Sequence, residues 1–141
     1  MSETRTGAEH IASLRDGRTV YIDGKLVDDV TTHPAFRNAV KAAAALYDYQ
    51  ADPANVERMT FRPEWTDRRV NRAWQRPRNH AEMVARRKAL QEWAKLSFGF
   101  LGRSPDHLAS AVTGQIMGIE VFEAYDPKRA KAYMDYYRFA S

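Results

Sequence analysis

Gly102-Arg103-Ser104-Pro105-Asp106-His107 decides how the second half of this chain is read. Proline has no backbone N–H and a φ held near the helical value, which suits the first position of a helix. Serine just before it and an acid just after it are the residue types favoured at an N-cap and a first turn. A helix is therefore predicted to begin at Pro105 and run to about residue 124. Upstream, Asn79-His80-Ala81-Glu82 has the spacing of a helix cap and opens the longest predicted helix, over about 80–98. Its Met83, Ala89, Leu90, Trp93, Ala94 and Leu96 fall mostly at helical spacing. Gly99 and Gly102 bracket a tight turn between the two. Arg103 is thus expected on the loop and His107 in the first turns of a helix, where a guanidinium and an imidazole can face one cavity.

The rest of the chain extends this pattern. Thr6-Gly7-Ala8-Glu9 has capping-box spacing and starts a predicted helix over 7–16, stopped by Gly17. Thr19-Val20-Tyr21-Ile22, Asp23-Gly24 and Lys25-Leu26-Val27 read as a hairpin, because Asp-Gly suits a type I′ turn. Thr32-His33-Pro34 opens a helix that ends near Asp52-Pro53, and Met59–Phe61 and Val70–Trp74 are short extended candidates. Asp126-Pro127 caps and starts a last helix, whose end is crowded with Tyr133, Tyr136, Tyr137 and Phe139. These aromatics either dock on the chain's own core or form an apolar surface awaiting another domain or chain, and the second is expected. The predicted fold class is mainly α with one or two small β-hairpins, as a single domain over 1–141.

Composition narrows the function. With 44% hydrophobic and 28% charged residues over 141 positions, the chain has an ordinary globular balance. No apolar run approaches the ~20 residues of a membrane span, and Glu3, Arg5 and Glu9 stand where a signal peptide would be apolar. There is no cysteine, hence no disulfide and no thiolate metal site, and a cytoplasmic protein is expected. The net charge of +4 is unevenly placed. Ten basic residues between Arg58 and Lys88 face only Glu64, Asp67 and Glu82. That block could meet nucleic acid, an anionic cofactor or an acidic partner, or carry its arginine heads in solvent and inter-domain ion pairs.

Candidate chemistry is sparse. His10, His33, His80 and His107 have no metal-ligand spacing, so no metal is expected. There is no Walker loop, GxGxxG or nucleophile elbow. Trp65, Trp74 and the nearby arginines have the composition of a nucleic-acid surface, without any accompanying motif. Arg103 and His107 remain. An Arg beside a helix N-terminus suits a phenolate or carboxylate, and a His can exchange a proton with a phenolic hydroxyl. Equally, Arg103 could simply pair with Asp106.

Several stretches in order resemble one family. They are Arg5-Thr6-Gly7, Ser13-Leu14-Arg15-Asp16-Gly17-Arg18, Val20–Gly24, Val30-Thr31-Thr32-His33-Pro34-Ala35-Phe36, Ala85-Arg86-Arg87, Gly102–Asp106 and Tyr136-Tyr137-Arg138. Together they identify the chain as similar to the N-terminal domain of the 4-hydroxyphenylacetate 3-monooxygenase oxygenase component, a family of two-component aromatic hydroxylases that use reduced FAD. The resemblance implies the N-terminal helical domain of an acyl-CoA-dehydrogenase-like flavin monooxygenase. It further implies that Arg103, Ser104, Pro105 and Asp106 bind substrate. His107 stands where the family has Tyr, as a substrate-binding and catalytic ring of different size and pKa, which puts the same phenol substrate in question.

The resemblance also implies what lies elsewhere. In the family a further active-site His, a β-domain and a helical bundle follow the Tyr-Tyr-Arg stretch, and they hold the flavin. The expectation is therefore the small subunit of a split monooxygenase, a natural subunit rather than a random fragment and inactive alone. Its partners would be a flavin-binding large subunit, a separate NAD(P)H:flavin reductase and a small aromatic or heteroaromatic substrate. No cofactor-binding residue is assigned to this chain. The alternatives are a non-catalytic regulatory module of the family, or a basic nucleic-acid-binding module.

Overall fold

A computed structural model of the chain describes residues 3–99 and 105–141. They form two compact units, Met1–Val56 and Glu57–Ser141.

In the first unit α1 (Gly7–Ser13) opens with the predicted capping box. The Thr6 hydroxyl accepts from Glu9 N at 3.2 Å while the Glu9 carboxylate accepts from Thr6 N at 2.8 Å. The helix is one turn shorter than 7–16 because Leu14 N and Arg15 N fall back to Ile11 O and Ala12 O, both at 3.2 Å. Gly17 then turns the chain with a φ of 81°. Strands β1 (Val20–Ile22) and β2 (Lys25–Val27) pair antiparallel with Tyr21 opposite Leu26. Asp23 and Gly24 both have positive φ, 49° and 73°, as a type I′ turn requires.

Helix α2 (Arg37–Ala51) starts later than Thr32-His33-Pro34 predicts. The intervening residues bond among themselves instead. Thr32 N and His33 N donate to Asp29 O at 3.3 and 3.0 Å, and the Asp29 carboxylate takes both the N–H and the hydroxyl of Thr31 at 2.7 Å. Those bonds, with Arg15 at 3.1 Å, hold the Asp29 carboxyl below the usual carboxylate range.

Helices α1 and α2 meet at Gly7. Its N–H donates to Asp48 Oδ1 at 2.7 Å, and a Cβ there would stand 2.5 Å from both Ala44 O and Asp48 Oδ2. Only glycine permits that approach. Around it the buried Gln50 amide donates to Thr4 Oγ1 at 3.3 Å, and the His10 ring stacks on Tyr47 at 4.7 Å.

The second unit begins inside α3 (Val56–Met59) and continues through β3 (Thr60–Phe61), β4 (Val70–Asn71) and a 3₁₀ turn at Arg72–Trp74. The two extended candidates do pair, Thr60 with Asn71 and Phe61 with Val70. The ladder stops there because the Asn71 side chain accepts from Ala73 N at 2.8 Å and winds the chain into the turn. Helix α4 (His80–Leu96) is capped by Asn79, whose Oδ1 accepts from Glu82 N at 2.9 Å. It ends where Phe98 and Gly99 take positive φ and Gly99 N reaches back to Ala94 O at 2.9 Å.

The long helix expected from Pro105 to about 124 is two helices, α5 (Pro105–Met117) and α6 (Ile119–Tyr125). Gly118 breaks the run: its N–H bonds Gln115 O at 3.2 Å, one residue tighter than an α-helical bond. Helix α7 (Pro127–Ala140) starts with Pro127 behind an Asp126 cap, as predicted. α4 and α5 both pack on the 3₁₀ turn, and α7 packs on α5 and α6.

The core of this unit is Val112, Ile116 and Tyr137, with Trp65, Trp74, Ile119, Tyr133 and Met134 against it. The crowded aromatics at the chain's end therefore divide. Tyr137 is 1% exposed, whereas Phe139 is 87% exposed. The Tyr137 ring lies 5.2 Å from Trp65 and 5.9 Å from Trp74, and its hydroxyl donates to the Trp74 carbonyl. Among the described residues, no helix is long and apolar enough to cross a membrane.

Two outcomes follow. Gly7→Ala forces the α1–α2 crossing apart against a backbone oxygen and should destabilise the first unit by about 1–3 kcal/mol in urea unfolding. Burial pushes the Tyr137 phenol up to about 12, from an ordinary 10.0. The folded state thus holds this proton more tightly, so stability should fall as pH rises from 10 toward 12, and Tyr137→Phe should remove that part of the alkaline loss.

Candidate functional site

Arg103 and Ser104, two of the five residues singled out in sequence, lie outside the described residues. The other three open α5: Pro105 is its first residue and Asp106 its first-turn acid, half-buried, with His107 beside it exposed to solvent. An exposed imidazole at a helix start can donate or accept a hydrogen bond to a molecule arriving from outside the unit.

Helix α5 is tied to the rest of the unit by Arg86, of the Ala85-Arg86-Arg87 stretch. Arg86 projects from α4, and its Nη2 donates to Ala73 O at 2.9 Å and to Ser110 Oγ at 2.8 Å. One guanidinium therefore ties α4, the 3₁₀ turn and α5 together. Thr113 Oγ1, at 3.4 Å, is a second donor to the same Ala73 carbonyl. Burial lowers the Arg86 pKa, opposed by the charge of Asp106 and by Tyr137, and its Nε is buried without a hydrogen-bond partner. Asp106 thus acts on Arg86 as well as on its own helix. In sequence Arg86 stands in the Ala85-Arg86-Arg87 stretch and in the basic block, both of which also fit an ordinary solvated arginine.

The basic block from Arg58 to Lys88 divides: Arg69, Arg72 and Arg86 turn inward, while Arg58, Arg62, Arg68, Arg76, Arg78, Arg87 and Lys88 are exposed. Arg72 donates to Arg58 O at 3.0 Å, Glu57 O at 2.8 Å and Thr60 O at 2.7 Å, capping the carbonyls at the end of α3. Arg69, buried, pairs with Glu57 and donates to Thr60 Oγ1 at 3.3 Å. Desolvation lowers the Arg72 pKa, with Arg69 adding to the effect. Arg78 instead meets Glu64 at 3.1 Å in solvent.

A cleft of about 250 Å³ opens beside Tyr137, between Phe61, Trp65, Arg76, Met134 and Arg138. Neither Asp106 nor His107 is among its lining residues. The described residues thus give two separate places, an exposed helix start bearing His107 and an aromatic cleft flanked by Arg76 and Arg138.

This helical unit with small hairpins is shared with flavin-dependent oxygenases. The oxygenase component of 4-hydroxyphenylacetate 3-monooxygenase, solved with FAD, superposes with a TM-score of 0.84 at 34% identity, covering 96% of this chain and 27% of that one. A 4-hydroxybutyryl-CoA dehydratase from N. maritimus shares the fold, with a TM-score of 0.76 at 20% identity. The 4-hydroxyphenylacetate 3-monooxygenase oxygenase component of Geobacillus sp. is 41% identical over 137 residues, which are 96% of this chain and 27% of the relative. The oxygenase component of 4-nitrophenol 2-monooxygenase from Rhodococcus sp. is 43% identical over 110 residues, 74% of this chain and 20% of that relative. The model of the family described as 4-hydroxyphenylacetate 3-hydroxylase N terminal matches residues 6–141, and the chain belongs to that family. It spans about a quarter of the length of the relatives it matches.

Arg86 gives the direct test of the site's support. Arg86→Ala leaves Ala73 O and Ser110 Oγ without their charged donor and should destabilise the second unit by about 1.5–3 kcal/mol in urea unfolding. Arg86→Lys should recover only part of that loss, since an ammonium cannot reproduce the forked geometry.

Proposed function

We propose that this chain supplies one wall of the aromatic-substrate pocket of a two-component, reduced-FAD-dependent monooxygenase, as its small subunit and a single domain over 1–141. A flavin-binding large subunit would complete it, and a separate NAD(P)H:flavin reductase would feed it. The observation that carries this reading is the family match over residues 6–141, together with a fold that superposes over 96% of this chain on 27% of an FAD-complexed oxygenase.

Among the described residues, the cleft beside Tyr137 holds about 250 Å³ and a hollow in the first unit, lined by Arg15, Arg18, Leu26 and Asp29, about 460 Å³. Ordinary small-molecule sites run to ~300–1,000 Å³, and an FAD is larger than most of their ligands, so neither fits it by itself. The flavin is accordingly assigned to the partner. What this chain would contribute is orientation and proton handling. Arg103, just ahead of the α5 N-terminus, would hold a phenolate or carboxylate. Ser104 and Pro105 would shape the wall, and His107 would hydrogen-bond the ring substituent and take or return its proton. Asp106 would act mainly through the helix start and Arg86. The inward commitment of Arg69, Arg72 and Arg86 counts against the nucleic-acid alternative.

In the assembled complex Arg103→Ala should lower kcat/KM by about tenfold to a hundredfold, the loss of one charge-assisted hydrogen bond, with the mass of the complex unchanged. Unaltered kinetics would remove Arg103 from the site. His107→Phe should depress turnover more than His107→Tyr, because only the second keeps a ring that donates and accepts. The chain alone should neither bind FAD nor hydroxylate a phenol.

A further inference from the structure

The cleft beside Tyr137 combines an aromatic wall with a cationic one. Its apolar side is Phe61, Trp65, Met134 and Tyr137. The rings of Phe61 and Trp65 meet edge to face at 6.3 Å, and Trp65 lies 5.2 Å from Tyr137. Both donors that these rings carry are already engaged. The Trp65 Nε1 donates to Ser141 Oγ at 3.3 Å, and the Tyr137 hydroxyl donates to Trp74 O. What this wall offers an arriving molecule is therefore ring surface.

The charged lining is Arg62, Arg76, Arg78 and Arg138, against two acids, Glu64 and Glu82. Both acids are committed. Glu64 pairs with Arg78 at 3.1 Å, and Glu82 accepts the Arg78 N–H at 2.7 Å. Two guanidiniums are left over. Among the described residues Arg76 has no hydrogen-bond or ion-pair partner, and its charge reaches the Tyr137 hydroxyl. The Arg138 head has Asp135 at 3.9 Å, but Lys131 holds that carboxylate more closely, at 2.6 Å. A guanidinium presents parallel N–H groups that match the two oxygens of a carboxylate.

Size selects the ligand. An apolar cavity of about 150 Å³ takes one benzene, and this cleft holds about 250 Å³. The room beyond one ring suits a carboxylate on a short arm, and a nucleotide would overfill it. We propose that the cleft binds a one-ring aromatic carboxylate, its ring against Trp65 and Tyr137 and its carboxylate between Arg76 and Arg138. Its walls come from β3, from the segment after the 3₁₀ turn and from α7, so an occupant ties these three together and stabilises the second unit by linkage. Binding requires neither a flavin nor a second chain, and its outcome is independent of the reading under Proposed function.

The test titrates benzoate into the whole chain and follows the three indole N–H signals by NMR, with Trp65 assigned by its loss in Trp65→Phe. The Trp65 signal should move saturably and further than that of Trp93, and the unfolding temperature should rise with benzoate. Benzamide keeps the ring without the charge, and acetate keeps the charge without the ring. Each should bind at least about tenfold more weakly than benzoate. Arg76→Gln should weaken benzoate about tenfold. Because Arg76 is exposed, that variant should unfold at the original temperature when no ligand is present. Lys128→Gln removes the same charge from α7 outside the cleft and should leave binding unchanged. A Trp65 signal indifferent to about 10 mM benzoate overturns the inference. Acetate moving that signal as far as benzoate overturns it too, leaving a plain anion patch. Equal losses in Arg76→Gln and Lys128→Gln do the same, since only net charge would then be at work.

Discussion

The second unit depends on one buried phenol. Tyr137 sits between two indoles, against Val112 and Ile116, and its hydroxyl donates to the carbonyl of Trp74 at the end of the 3₁₀ turn. A ring this large contributes apolar area on all sides, and the one polar atom it brings is satisfied. Because Trp74 ends the turn on which α4 and α5 both pack, the bond joins the last helix to the point where the other two meet. The Arg86 guanidinium performs the same task from the opposite helix, through the neighbouring carbonyl of Ala73. Two adjacent backbone oxygens thus receive the donors that fix α7, α4 and, through Ser110, α5.

A basic stretch in sequence is commonly taken as a surface for anions. Here its centre has another use. The segment between α3 and the 3₁₀ turn has only a two-residue ladder. Arg72 supplies donors to two carbonyls at the end of α3 and to the Thr60 carbonyl from one planar head, and Arg69 covers the adjacent hydroxyl and carboxylate. Arginine suits this role because it presents several N–H groups in a rigid fork and tolerates partial burial while charged.

How much was legible depended on whether the signal was local. The Thr6, Asn79 and Asp126 caps and the Asp23-Gly24 turn were readable because each is decided by residues within a few positions of one another. Gly118 was not, since one glycine in an apolar run is as compatible with a continuous helix as with a break. The split fate of Tyr137 and Phe139 needed the position of the indoles, which no spacing within the last helix encodes. The role of Arg86 likewise depends on Ala73 and Ser110, which are distant in sequence. Of the candidate site, the α5 start stands at Pro105, where the sequence put it, because proline acts on its own backbone.

The bond from Tyr137 to Trp74 has a kinetic side. It closes 63 residues of chain, and the contact of Trp65 with Ser141 closes 76. In the first unit the crossing of α1 and α2 at Gly7 and Asp48 closes 41, and the hairpin turn closes almost none. Loop-closure entropy must be met before such contacts return anything, and chains emerge from the ribosome N-terminus first. The first unit can therefore assemble while the rest is still being made, whereas the second acquires its core only when its final helix is released.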